Sequence, residues 1–241
     1  MKRLVIGDIH GSLKATKQVL ERANFNPEID MLIGLGDYVD GWNESYEVVS
    51  YLMNLPNFKG ILGNHDHWLL DYLSYGAVPH IWTSQGGQAT LDSYQGFLGE
   101  PNVEEHRKFL SSLPYYLEID DKLFVHGGVY ISENGIDLRA LSGERLMWDR
   151  VLFTNVIYNK YKFNNAFKHK LNLHPYSELY LGHTTTQNAK PDFTPIAHNN
   201  IYLLDQGGGW DGKLTAMDID TKEYWQSDFT PTLHPEVKGR G

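Results

Sequence analysis

The chain has 241 residues, of which 41% are hydrophobic and 21% charged, with a formal net charge of −9 at pH 7. That length suits one large domain with a substantial core; the acidic balance disfavours a protein that tracks a nucleic-acid duplex; and no apolar run approaches the roughly 18 residues of a membrane span. With no cysteine there is no disulfide framework, no thiolate nucleophile and no zinc–thiolate site, so any metal must sit on His, Asp, Asn and water, a donor set that suits Mn or Fe as well as Zn.

Met1-Lys2-Arg3 leads straight into a strand at 3–6, which leaves no room for a signal peptide; the cytoplasm is the expected location. The strand ends in Gly7-Asp8-Ile9-His10-Gly11. A helix is expected from about Ser12, a plausible N-cap, with Leu13, Thr16, Leu20 and Ala23 on one face. After the loop from Asn24 to Asp30, the apolar run 31–35 predicts a buried strand that delivers Gly36-Asp37-Tyr38-Val39-Asp40. A carboxylate leaving such a strand beside glycine points out of the sheet, where a ligand can reach it. A second helix is expected from about Asn43 with Val48, Val49, Leu52 and Met53 inward, then a strand at 58–62 running into Gly63-Asn64-His65-Asp66. Asp8, Asp37 and Asn64 recur at roughly 30 residues, the length of a parallel βαβ crossover, and right-handed crossovers would bring the three strand ends to one side of the sheet.

Residues 67–113 read as mainly helical, a cap-like block beside the strand ends, with a glycine-marked turn at Trp82 to Gly87. Strands at 115–119 and 122–125 form a hairpin about Asp120-Asp121, and the second runs into His126-Gly127-Gly128. Residues 151–177, rich in Asn, Lys, Tyr and Phe, read as an insertion. A strand at 178–181 reaches Gly182-His183-Thr184, and a strand at 201–204 is followed by a hairpin-like Asp205 to Gly209 connection into 213–219. The tail 228–241, carrying Pro231 and Pro235, is expected to be loosely held.

Repeated strand ends carrying glycine and a metal-competent side chain describe a metal site along one sheet edge. Asp8 and His10, two residues apart, can face one ion; Asp37 can bridge two; Asn64, His126 and His183 offer neutral ligands. Two divalent ions bridged by a carboxylate sit about 3.5–4 Å apart and activate a shared water for in-line displacement at phosphorus. His65 points elsewhere than Asn64 and, oriented by Asp40, makes a general acid for a leaving alkoxide. Asp66 reads as structural. His67, His80, His106, His169, His174, His198 and His234 fit no motif and read as surface or packing residues. The glycines at 207–209 read as turn residues.

In this order the motifs resemble the calcineurin-like metallophosphoesterases, and within them the phosphoprotein phosphatase (serine/threonine phosphatase) superfamily with its bacterial and phage members. Softer matches at Gly86-Gly87 with Thr90, Leu91, Ser93 and Tyr94, at Trp148-Asp149-Arg150, and at Leu204-Asp205-Gln206-Gly207-Gly208 extend the resemblance over residues 3 to 219. It implies an α/β chain, α+β layered, with a central β-sandwich flanked by helices in a single domain. It implies that Asp8, His10 and Asp37 hold one divalent ion, Mn foremost, and that Asp37, Asn64, His126 and His183 hold a second. It further implies His65 with Asp40 as proton donor, and Arg150 and Asn64 as phosphate contacts.

The sequence also departs from the family. The arginine that usually follows the second motif's last Asp is replaced by Gly41-Trp42, and another often placed before Gly-Asn-His is Leu62. Thr185 stands where nuclease and phosphodiesterase branches carry a second His, which argues against a DNA nuclease. Lys59, Arg150 or the aromatics Trp42, Trp68 and Tyr38 are the candidates to grip substrate instead. The expected activity is hydrolysis of phosphomonoesters, on phosphorylated protein or a small phosphoester. A symmetrical dinucleoside-tetraphosphate hydrolase, whose relatives also read Gly-Asn-His-Asp, is the alternative. A metal-binding regulatory protein of weak activity stands as a third reading, motivated by Gly41.

Overall fold

The computed structural model describes residues 1–157 and 171–240. Its strands in chain order are β1 (Arg3–Ile6), β2 (Met31–Gly34), β3 (Phe58–Gly60), β4 (Tyr116–Ile119), β5 (Lys122–Val125) and β6 (Ile131–Ser132), then β7 (Gly135–Ile136), β8 (Glu178–Leu181), β9 (Ile196–His198), β10 (Ile201–Leu203), β11 (Thr215–Asp218) and β12 (Tyr224–Gln226). The helices are α1 (Leu13–Arg22), α2 (Ser45–Met53), α3 (Asn64–Tyr75), α4 (His80–Trp82), α5 (Gln88–Tyr94), α6 (Pro101–Ser112), α7 (Gly143–Trp148), α8 (Val151–Ile157) and α9 (Thr230–Leu233).

Two five-stranded sheets form, ordered β12-β11-β1-β2-β3 and β4-β5-β8-β10-β9. In the first, β1, β2 and β3 run parallel with α1 and α2 as crossovers, while β11 lies antiparallel to β1. In the second, β5, β8 and β10 run parallel between two antiparallel edges. Side chains alternate across a strand, and here that alternation sorts the core into three layers. Val5, Ile33, Phe124, Tyr180 and Met217 pack between the sheets. Leu4, Ile6 and Leu32 turn outward to meet Val19, Val48 and Leu52 of the helices. Leu123, Val125, Leu179 and Leu181 turn the other way, onto Leu146, Leu152 and Val156. This is the expected sandwich flanked by helices.

Ser12 caps α1, its side chain accepting from the Ala15 N–H. The 67–113 block is mainly helical, as expected, and joins the outer layer: Leu69, Trp82, Tyr94 and Leu110 share the cluster of Leu4 and Leu32. Its first helix starts earlier than the 67 expected, at Asn64, because the Asp66 carboxylate accepts the Gly63 N–H and caps it. Met53, expected inward, is only half-buried at the helix end. Several strands are shorter than the apolar runs that predict them: Leu35, Ile61 and Leu204 lie buried just past the strand ends, each still donating its N–H to the neighbouring strand, and Leu214 lies buried just before β11.

Two expectations are corrected. The Asp205–Gly209 connection is not a hairpin, because β10 lies in the second sheet and β11 in the first, so the chain crosses between sheets there. The tail is not loose over its described residues. Thr230 and His234 are buried, the Thr230 N–H donates to Gly212 O at 2.9 Å, and the His234 ring stacks on Trp42 at 4.9 Å and 16°. Of the expected insertion 151–177, the first residues form α8 with Leu152 and Val156 buried, and Leu173 packs on the same core; residues 158–170 lie outside the described residues. No described helix is long and apolar enough to cross a membrane.

Candidate metal centre

The loops leaving β1, β2, β3, β5 and β8 converge at one edge of the sandwich. The turns are tight, and His10, Asp37, Asp40 and His183 all take left-handed backbone conformations, with φ of 49°, 52°, 74° and 66°. Such conformations cost free energy for residues with a Cβ and persist only where surrounding contacts fix them. Here Ile9 and His10 both donate their N–H to Asp37 O, and the His183 N–H donates to Asp8 Oδ2 at 2.9 Å.

Asp37 is the centre of the arrangement. Its Oδ1 accepts the His65 N–H at 2.9 Å, while Oδ2 has the Nε2 atoms of His126, His10 and His65 at 3.2, 3.8 and 4.0 Å. His10 and His126 each direct Nδ1 at a backbone carbonyl, Val39 O at 3.1 Å and Leu35 O at 2.7 Å. Donation there fixes the ring and leaves Nε2 for the cluster. Asn64 Oδ1 lies 3.0 Å from His126 Nε2. Two groups of ligand atoms, Asp8–His10–Asp37 and Asp37–His126–His183, each lie mutually within 4.8 Å and are buried.

Burial raises the Asp8 carboxyl, and Asp205 nearby raises it further. Burial would also raise Asp37, but His126, His65 and His10 hold it well below the usual carboxylate range. Burial works against a charged His126, yet Asp37 lifts its pKa to about 9. Burial, then His126, pushes His183 down to about 2. The cluster thus has one strongly stabilised anion and needs positive charge beside it. His183 Nε2 is buried with no hydrogen-bond partner among the described residues, an orphan that a cation would satisfy. Carboxylates, imidazoles and an amide oxygen without thiolates make a donor set for divalent ions such as Mn, Fe or Zn; these residues fit two.

His65 sits on the flank. Its Nδ1 is 2.5 Å from Asp40 Oδ2. Asp40 is fully buried and also accepts from Trp82 Nε1 at 2.8 Å and Thr90 Oγ1 at 2.6 Å, so its orientation is locked. Asp66 accepts three backbone N–H groups, from Asp37 and Tyr38 at 2.8 Å and from Gly63 at 2.9 Å, tying two motif loops together. Arg150 is exposed at the His183 end, where its charge further disfavours a protonated His183.

Of the aromatics weighed as substrate grips, Trp42 and Tyr38 are buried in the core. Trp68 is half-buried and stands edge-on to His65 at 4.9 Å and to Trp148 at 5.3 Å. His106 is a buried packing residue between Ser50 and Tyr94, and His169 lies outside the described residues. The sequence reading missed Trp82 and Thr90 as partners of Asp40, Asp205 beside Asp8, and Arg240, whose Nη1 lies 3.1 Å from His10 Nε2. Thr90 lay in a soft motif match; nothing in the sequence pointed to Arg240.

The family profile described as calcineurin-like phosphoesterase matches residues 1–186. Serine/threonine-protein phosphatase 2 of Salmonella typhimurium is 40% identical, over 89% of this chain and 91% of that protein. The symmetrical bis(5'-nucleosyl)-tetraphosphatase of Pseudomonas entomophila is 42% identical, over 95% of each chain. The crystal structure of a metallophosphoesterase from Sphaerobacter thermophilus shares the fold with a TM-score of 0.57 at 19% identity, over 95% of this chain and 89% of that one.

Replacing Asp66 by Ala leaves three buried N–H groups without their acceptor. Chemical denaturation is expected to show a loss of about 3 kcal/mol, with weaker Mn binding in parallel. A variant of unchanged stability would show that water replaces the carboxylate and that Asp66 does not hold the loops.

Proposed function

The chain belongs to the calcineurin-like phosphoesterase family, and within it we propose a metal-dependent phosphomonoesterase of the serine/threonine protein phosphatase type. The observation that carries this reading is the buried His65–Asp40 pair, set with its free Nε2 4.0 Å from the same Asp37 oxygen that His10 and His126 surround. A proton donor oriented by a carboxylate, at the edge of a two-group ligand cluster, is what cleavage of an unactivated alkyl phosphate requires. The 40% identity to the Salmonella typhimurium phosphatase supports it.

In this reading Asp8, His10 and Asp37 hold one divalent ion, and Asp37, Asn64, His126 and His183 a second. Bound there, the ions supply positive charge for the phosphate oxygens and lower the pKa of a water. The chain's own groups do the rest. Asp40 accepts the Nδ1–H of His65 and keeps the ring aimed. Trp82 and Thr90 donate to the same carboxylate and hold it in place. As water adds to phosphorus and the ester P–O bond breaks, the leaving oxygen takes the Nε2 proton of His65. Asn64 and Arg150 contact the phosphate oxygens from the His126 and His183 side, where a guanidinium makes charge-assisted hydrogen bonds.

The same chemistry cleaves a symmetrical dinucleoside tetraphosphate. The half-buried pair Trp68 and Trp148, 5.3 Å apart beside His65 and His183, favours that second reading because it offers a ledge for a base. The 42% identity to the Pseudomonas entomophila enzyme is consistent with it.

His65→Ala is expected to lower turnover of an aryl or serine phosphate by about 10²- to 10⁴-fold, with metal content by elemental analysis unchanged. Undiminished activity would remove His65 from the reaction. Trp68→Ala separates the two substrates. If the ledge seats a base, KM for the tetraphosphate rises about 10-fold and that for an aryl phosphate hardly moves; equal effects on both would make Trp68 a packing residue.

A further inference from the structure

The C-terminal tail brings a guanidinium into the cluster. Arg240 donates from Nη1 to His10 Nε2 at 3.1 Å, from Nη2 to Gln85 Oε1 at 2.8 Å and from Nε to the Gln85 carbonyl at 3.2 Å. Its guanidinium carbon lies 4.8 Å from the centroid of the Trp210 ring, a cation–π distance. The Arg240 N–H donates to Gly209 O at 2.9 Å. Six residues earlier the tail is pinned again, with His234 stacked on Trp42 and its Nε2 2.8 Å from Ser12 Oγ. The side chain is seated by partners on three separate segments.

The seat depends on two positions without side chains. A Cβ on Gly41 would lie 2.9 Å from Arg240 Cγ, and one on Gly86 would lie 3.0 Å from it. Both glycines have left-handed backbones, with φ of 96° and 98°, and the Gly41 N–H donates to Gly86 O at 3.1 Å. A side chain at 41 and the stem of Arg240 would claim the same space.

We propose that Arg240 is a substrate-phosphate ligand of this site, delivered by the tail through the gap that Gly41 and Gly86 leave. The proposal rests on the phosphoesterase reading above and adds a residue to it. A planar, weakly hydrated guanidinium held by two of its nitrogens can aim the third at a phosphate oxygen in a charge-assisted hydrogen bond. Arg240 stands at the His10 end of the cluster and Arg150 at the His183 end, so an anion between the two ligand groups meets positive charge from both sides. The hydrogen-bond inventory also fits. Nε and Nη2 are spent on Gln85, whereas Nη1 faces His10 Nε2, the atom an ion would claim. Once that lone pair is engaged by an ion, Nη1 becomes the donor available to a phosphate oxygen.

The test uses the full chain loaded with Mn, as wild type, Arg240→Ala and Arg240→Lys. Binding of inorganic phosphate is followed by calorimetry, and KM and kcat are measured on an aryl phosphate. Arg240→Ala is expected to weaken phosphate binding and raise KM about 10- to 100-fold, with a smaller fall in kcat and unchanged Mn content. Arg240→Lys, a point charge without the fork, should recover part of the loss. Unchanged phosphate affinity in Arg240→Ala overturns the proposal. So does a gain in Mn affinity with higher activity, which would make Arg240 a plug on His10. If the wild type binds Mn but releases no phosphate from any ester, the phosphatase reading fails, and the phosphate titration still decides the role of Arg240.

Discussion

One buried carboxylate sets the terms for the rest of this protein. Asp37 is 1% exposed, and burying an isolated carboxylate is prohibitively costly unless positive or donating groups surround it. The fold supplies them from separate places. The His65 N–H comes from the start of α3, the His10 ring from the loop after β1, the His126 ring from the end of β5 in the other sheet. His126 can approach only because the two sheets are stacked, and His10 and His65 because the loops of one sheet turn sharply, as the left-handed backbones at His10, Asp37, Asp40 and His183 show. Asp66 does the equivalent for the backbone, gathering the N–H groups of Asp37, Tyr38 and Gly63.

Much of this was legible in the sequence because short range determines it. Apolar runs such as Leu4-Val5-Ile6 and Leu123-Phe124-Val125 marked buried strands, and in the structure the two-residue period of a strand divides each run between the layer between the sheets and an outer one. Strand-end glycines beside Asp8, Asp37, Asn64, His126 and His183 marked the loops that converge. The connection at Asp205–Gly209 was misread because a glycine-rich turn looks the same whether it joins neighbours in one sheet or passes between two. Trp82 and Thr90 were not readable as partners of Asp40, since they approach it over 42 and 50 residues of chain.

The tail shows the same limit more sharply. Prolines, glycines and charge made residues 228–241 resemble a frayed end, and composition carries no sign of the pocket that Trp42, Trp210 and the glycines at 41 and 86 create for it. The sequence did show a gap at Gly41, where the resemblance expects an arginine. Only the packing shows that the gap is filled from 199 residues away (240 minus 41). The missing side chain at Gly41 and the seat of the Arg240 stem are a single geometric fact.

The most direct measurement is product formation by metal-stripped and Mn-reloaded protein, read as inorganic phosphate from a phosphoserine peptide and an aryl phosphate and as nucleoside diphosphate from a dinucleoside tetraphosphate, assayed side by side. A two-ion cluster with His65 as proton donor, acting on phosphomonoesters, predicts release from the peptide and the aryl ester only after reloading. Hydrolysis of the tetraphosphate alone, or release that ignores the metal, would contradict it.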